Sequence, residues 1–160
     1  LLNELEIGAE YLSMARQISP YAPLTWDLSA MNALYRDRTF EGFELASRAN
    51  RLSRFSPYKP IFDSSLAISA ALCGRHQDAI ITGRSILSRR QEFLPVMRHL
   101  FASLSLTGAK DDAAAMLQKI QQIDPDFTAA NVGAPDYPLQ SKSSVELIRA
   151  GFQSFEKAGA

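Results

Sequence analysis

The chain repeats itself, and that constrains its fold more than any single residue does. Gly74 in ALCGRHQDAI (71–80) and Gly108 in SLTGAKDDAA (105–114) stand 34 residues apart. Leu72 and Leu106, Asp78 and Asp112, Ala79 and Ala113, Ile86 and Ile120, and Phe93 and Phe127 share that register. Upstream, ARQISPYAP (15–23) precedes ANRLSRFSP (49–57) by the same 34 residues. The two halves join if three residues are inserted near 54–60, where Pro57 and Pro60 mark an extended link. A period of this size belongs to units that bury their apolar faces only against their neighbours.

Each unit reads as two helices. The apolar spacing of Leu24, Leu28, Met31, Leu34 and Tyr35 predicts a helix over about 24–35. A second follows over about 40–52, with Thr39 as N-cap and Phe43, Ala46 and Ala49 inward. Further pairs fall at about 60–73 and 76–90, then 94–107 and 110–123. Residues 1–20 read as the second helix of a truncated unit, with Gly8, Leu12 and Ala15 inward. The full units span 23–59, 60–93 and 94–127, a loop takes 128–140, and 141–160 forms a closing helix. That helix opens with Ser143 and Glu146 as a capping box and carries the stripe Val145, Ile148, Phe152, Phe155. The expected fold is all-α: one domain of helical hairpins in a right-handed α-solenoid, capped at its C-terminal end.

Composition narrows the partners. The 17 basic and 17 acidic side chains of the 160 residues cancel, whereas a domain that grips nucleic acid shows a basic excess. The same neutrality removes the self-repulsion that keeps copies apart, so a homo-oligomer is one expected state. One cysteine excludes an internal disulfide and fits a reducing, cytoplasmic setting. No run approaches the roughly 18 apolar residues of a membrane span. The start, LLNELEIGAEYL, has neither the basic flank of a signal peptide nor an initiator Met. A segment of a longer polypeptide is the expectation.

Three groups of residues invite a chemical reading. Cys73, His76 and Asp78 lie within six positions, but one period later the same turn carries Thr107, Lys110 and Asp112, so only the acid persists. An acid in the first turn of a helix is explained by the unpaired amides there, at about 0.3–1 kcal/mol. Three ligands without a spacing motif also fall short of a zinc set. His99 is isolated on a helix. Arg84, Arg89, Arg90 and Arg98 read as a solvated face. The aromatics Phe40, Phe43, Phe55, Phe93, Phe101 and Phe127 are spaced as core. No phosphate loop, hydrolase elbow or acid–base pair is present in the sequence, so no cofactor, metal or catalytic residue is expected.

The period, with its turn glycines, resembles the tetratricopeptide repeat over residues 3–127. Trp26 and Met97 fit the bulky residue of the first helix, Gly74 and Gly108 the turn glycine, Ala79 and Ala113 the small residue after it, and Pro20 and Pro125 the terminal proline. Asp37 replaces the turn glycine in the first full unit, and Arg54 and Gln91 replace the proline. RLSRFSPYKP (51–60), GRHQDAI (74–80), DPDFTAA (124–130) and LIRAGFQSFEKAGA (147–160) are similar to the repeat region at the C-terminal end of bacterial class III adenylate cyclases. Winged-helix transcriptional regulators carry a similar region. The resemblance implies a non-catalytic interaction or regulatory module; a sensing or dimerising region of such a regulator and a free-standing adaptor are the alternatives. It also implies that first helices line a peptide-binding groove. Here that groove maps to Leu24, Asp27 and Met31, then Ile61, Ser64 and Ile68, then Pro95, Arg98 and Ala102. These residues lack the Lys and Asn of carboxylate-clamping relatives and suit an amphipathic helix. The closing helix or an adjacent domain could supply it, as could another protein.

Overall fold

The computed structural model describes residues 2–89, 92–137 and 141–157, and every regular element among them is helical. In chain order these are α1 (Leu2–Ile18), α2 (Pro23–Tyr35), α3 (Thr39–Leu52), α4 (Lys59–Leu72), α5 (His76–Leu87), α6 (Leu94–Leu106), α7 (Lys110–Ile123) and α8 (Lys142–Lys157). From α1 to α7 each helix packs on the next, and α4 also touches α2 and α6. Arg90, Gln91, residues 138–140 of the expected loop and residues 158–160 of the expected closing helix lie outside the described residues. No helix among the described residues is long and apolar enough to cross a membrane.

The repeat is built on one turn used three times. After α2, α4 and α6 a single residue takes a left-handed conformation: Asp37 (φ 56°), Gly74 (φ 74°) and Gly108 (φ 78°). Around it the amides of Asp37, Gly74 and Gly108 bond the carbonyls of Leu34, Ala71 and Ser105 at 3.0, 3.0 and 3.2 Å. The next amides, of Arg38, Arg75 and Ala109, reach back to Ala33, Ala70 and Leu104 at 2.9, 2.9 and 3.0 Å. This is the Schellman pattern, which satisfies carbonyls left over at the helix end and reverses the chain. The next helix then starts with an acid in its first turn: Glu41, Asp78, or Asp111 with Asp112. The preceding connections use proline: Pro23, Pro60 and Pro95 all sit in the first turn of their helices. There the missing N–H costs nothing and the fixed φ suits the helix. Pro60 is therefore the start of α4 rather than part of an extended link.

Other boundaries also depart from expectation. The N-cap of α3 is Arg38, without a side-chain bond, and Thr39 is already helical. α8 starts at Lys142, so Ser143 is inside it and does not form the expected capping box with Glu146. The first amides of α8 are met from elsewhere. Ser143 N donates to Asp37 Oδ1 at 2.8 Å, and Ser144 N donates to Ser141 Oγ at 3.4 Å. The residue that replaces glycine in the first turn thus caps a helix 106 positions away.

The main core lies among α6, α7, α8 and the segment between the last two. Phe101 touches the rings of Phe127, Phe152 and Phe155 at centroid distances of 5.8, 4.8 and 5.9 Å. Met97, Leu100, Leu104, Ile120 and Ile148 fill the space around them. Val132 and Tyr137 from the aperiodic segment are buried with them. Phe43, Ala46, Ala49 and Ile148 are inward as their spacing predicts. Phe40 and Phe55, expected in the core, are 72% and 91% exposed. The buried face of α3 is the line through Gly42, Phe43, Ala46 and Ala49, which leaves Phe40 off it; Phe55 lies in the connection before α4.

α8 seats on α6 through glycine. A methyl group at Gly151 would stand 2.7 Å from Ala102 Cα and 3.0 Å from its Cβ, both held by a helix. Gly151→Ala is expected to push α8 off α6 and destabilise by about 1–3 kcal/mol, read as a lowered thermal midpoint. Asp37→Ala loses the cap of α8 and keeps the left-handed strain, for a cost of about 1 kcal/mol. Asp37→Gly loses the same cap but sheds the strain, so the two changes largely cancel. Denaturant melts should place Gly close to wild type and Ala below both.

Candidate functional site

The face shared by α2, α4 and α6 is the surface on which the predicted residues converge. Met31, Ile68 and Arg98 line one small cavity of about 150 Å³, together with Tyr35, Leu72 and Pro95. Its far wall is Ser141 and Ser144, at the head of α8. At this size it is below the usual range for small-molecule sites, about 300–1,000 Å³. α8 then runs along α6, with Gly151 over Ala102 and Ser154 Oγ bonded to Ser105 O at 3.0 Å. The C-terminal half of the shared face is therefore covered by a helix of the chain itself.

The other half is open. Leu24 and Ile61, two turns before Met31 and Ile68 on the same stripes, are 56% and 50% exposed. Leu28 and Tyr35 extend the α2 stripe, and both are exposed. Leu24, Leu28 and Tyr35, whose spacing predicts the helix, lie off its buried apolar face, which is Ala30, Ala33 and Leu34. The signal was present: 24, 28, 31 and 35 form one helical line, and 30, 33 and 34 form a second. Met31 is half-buried, and Asp27, Ser64, Ile68, Arg98 and Ala102 are buried. Ser64 is turned back to its own helix, donating to Pro60 O at 2.7 Å.

The two charged residues of this face are not equivalent. Arg98 Nη2 donates to Asp124 Oδ2 at 2.7 Å, and Tyr137 Oη donates to the same oxygen at 2.5 Å. The guanidinium also lies over the rings of Tyr137 and Phe127, at 5.2 and 5.8 Å. Burial pushes the Asp124 carboxyl up, but the bonds from Tyr137 and Arg98 outweigh it and hold the pKa below the usual carboxylate value. Burial and the bond to Asp124 push the Tyr137 phenol up. Arg98 thus ties the segment after α7 to α6 and is not presented to a partner. Asp27 has no such cation among the described residues. Burial raises its pKa against the effect of a bond from Ser65, and its Oδ1 meets no hydrogen-bond donor among the described residues.

The remaining candidates have structural partners. Asp78 is paired with Arg75 at 2.7 Å, and Arg75 lies over the Phe43 ring. His76 Nδ1 faces Ser103 Oγ at 3.4 Å. Burial raises the pKa of the Cys73 thiol, and its packing is among Phe43, Ala70 and Ala79. The three side chains do not converge, and no group of three metal-ligating side chains occurs among the described residues. Arg84 pairs with Asp112 at 2.5 Å, which separates it from Arg98; Arg89 is exposed.

His99 is the group that periodicity left unexplained. It is buried under the head of α8, where Nδ1 donates to Pro95 O at 2.6 Å and Nε2 accepts from Ser144 Oγ at 3.0 Å. Pro95 O can only accept, so Nδ1 carries a proton, and burial lowers the pKa to about 4, which leaves Nε2 as the acceptor at neutral pH.

No protein-family model, no curated protein and no solved structure matches the chain.

A histidine held neutral stabilises the fold above its unfolded pKa of about 6.5. That contribution declines as the pH falls, because the unfolded chain takes up a proton that the folded one refuses until about pH 4. Between pH 7 and pH 5 the loss is about 2 kcal/mol. Urea midpoints at the two pH values should show it, and His99→Gln should flatten the difference.

Proposed function

We propose that this chain is a non-catalytic protein-interaction module that holds an amphipathic helix on the open half of the face shared by α2, α4 and α6. In this reading the hairpins are tetratricopeptide repeats in a right-handed solenoid. The module forms the C-terminal part of a cytoplasmic bacterial signalling protein such as an adenylate cyclase. The cyclase context rests on the resemblance of RLSRFSPYKP, GRHQDAI, DPDFTAA and LIRAGFQSFEKAGA.

The observation that carries the interaction reading is α8. It is itself amphipathic, and it sits on the C-terminal half of this face with Ile148 and Phe152 inward. A surface that already receives one helix through apolar and small residues has the geometry to receive another beside it. The open half offers Leu24, Leu28, Tyr35 and Ile61, with Asp27 beneath them and Arg98 neutralised by Asp124. Recognition there is by apolar contact. A non-catalytic role is supported by Cys73, His76 and Asp78, each engaged in packing or pairing within the fold.

Leu28→Lys and Ile61→Lys are expected to abolish partner capture while leaving the thermal midpoint within about a degree, because both side chains are half in solvent. Phe55→Lys, on the exposed connection between α3 and α4, is the control. Site-specific cross-linking from position 61 in the source cell, followed by mass spectrometry, identifies the partner. A partner retained by both lysine variants places binding elsewhere.

A further inference from the structure

Between α5 and α7 the chain leaves open a groove that it fills elsewhere with its own side chains. Both helices pack on α6, and the space between them, about 650 Å³, is lined by Leu87, Met97, Leu100, Met116 and Lys119. It continues into a recess of about 230 Å³ that shares Leu100, Met116 and Lys119 and reaches Leu104. Met97, Leu100 and Leu104 lie on the side of α6 turned away from Arg98 and Ala102. The groove is therefore separate from the face shared by α2, α4 and α6.

The repeat shows what such a groove can take. An offset of 71 residues, two periods with the insertion included, carries α2 (Pro23–Tyr35) onto α6 (Leu94–Leu106) end to end. It carries α3 (Thr39–Leu52) onto α7 (Lys110–Ile123) in the same way. In the groove between α1 and α3 stands the indole of Trp26, with the guanidinium groups of Arg16 and Arg48 over it at 5.5 and 5.7 Å. Trp26 Nε1 donates to Pro20 O at 2.9 Å, which fixes the ring. One unit later the places of Arg16 and Trp26 hold Asn50 and Asp63, bonded to each other at 2.7 Å, and the cavity there is about 310 Å³. Two units later they hold Leu87 and Met97, and Lys119 takes the place of Arg48. Met97 is buried in the floor; Lys119 is exposed and has no ion-pair partner among the described residues. The last groove thus keeps a cation and lacks the ring.

We infer that the groove between α5 and α7 binds an aromatic side chain, tryptophan above all, presented by a second polypeptide. Leu87, Met97 and Leu100 supply the apolar bed, and the Lys119 ammonium meets the ring face as Arg48 meets Trp26. The thioethers of Met97 and Met116 favour an aromatic guest over an aliphatic one. The recess toward Leu104 takes the chain that carries the ring, space a free aromatic molecule would leave empty.

The four methionines of the chain report on the site separately. Met97 and Met116 line the groove, Met31 lines the cavity on the shared face, and Met14 is on α1. Methyl spectra recorded while acetyl-Gly-Trp-Gly-amide is added to about 10 mM should show ring-current shifts at Met97 and Met116 and none at Met14 or Met31. The corresponding leucine tripeptide should move none of them. Lys119→Ala, at an exposed position where the fold tolerates change, should weaken binding about two- to five-fold. Unmoved Met97 and Met116 methyls overturn the inference, as do equal shifts from the leucine peptide or an unchanged affinity in Lys119→Ala. Free indole binding as tightly as the tripeptide overturns the polypeptide occupant. Shifts at Met31 report the shared face, so the two readings stand or fall separately.

Discussion

One left-handed residue at the end of each first helix organises this molecule. At Asp37, Gly74 and Gly108 the chain adopts a φ that most side chains avoid, and the Schellman bonds it permits send the next helix back along the last. With the reversal fixed three times over, α2, α4 and α6 come to share a face. Glycine serves twice because it carries no penalty there. Asp37 bears a strain of about 1–2 kcal/mol, and its carboxylate offsets much of that by capping α8 at Ser143, worth about 1 kcal/mol. The exception to the repeat is thus the residue through which the repeat holds its closing helix.

That helix completes the C-terminal half of the fold. Ile148 and Phe152 are withdrawn from water, each worth about 1.5–3 kcal/mol on the usual area scale. Gly151 lets the two helix axes approach until no methyl group fits between them. The aperiodic segment after α7 is bound into the same unit, through Arg98, Asp124 and Tyr137 on one side and Arg149 Nε to Val132 O at 2.9 Å on the other. α8 therefore belongs to the core and is not a detachable plug. Losing it would expose the cluster of Phe101, Phe127 and Phe152 together.

Much of this was legible in the sequence, and the failures share a cause. The helices, the turns at Gly74 and Gly108 and the inward stripe of α8 follow from spacing alone, because a helix with one buried face must repeat its apolar residues. Spacing gives stripes but does not say which neighbour each one meets. α2 carries two, and spacing alone does not say that Leu24, Leu28 and Tyr35 stay open while Ala30, Ala33 and Leu34 are buried. Long-range bonds leave no local trace: nothing near Ser143 shows that its amide is met by Asp37, and nothing near Arg98 announces Asp124 and Tyr137. Val132 and Tyr137 are core residues supplied by a segment without a period, where no pattern distinguishes inside from outside. Of the nine residues mapped to the groove, Leu24, Ile61 and Pro95 are exposed, since α8 and the packing of α4 and α6 cover or bury most of the rest.

The uncovered apolar surface has a direction. At the C-terminal end every first helix has a neighbour, the aromatic cluster is closed, and Arg98 and Asp124 neutralise each other in the fold. Toward the N-terminal end, Leu24, Leu28 and Ile61 lie open on the shared face, and Ile7, Tyr11, Met14 and Ile18 lie open on α1. Random exposure of apolar side chains would scatter them, as Phe55 and Ile81 are scattered. On the proposed reading, the line on the shared face is where another helix would seat. Two regular lines at one end, against none as regular among the described residues at the other, put most of the ordered apolar exposure on the N-terminal half.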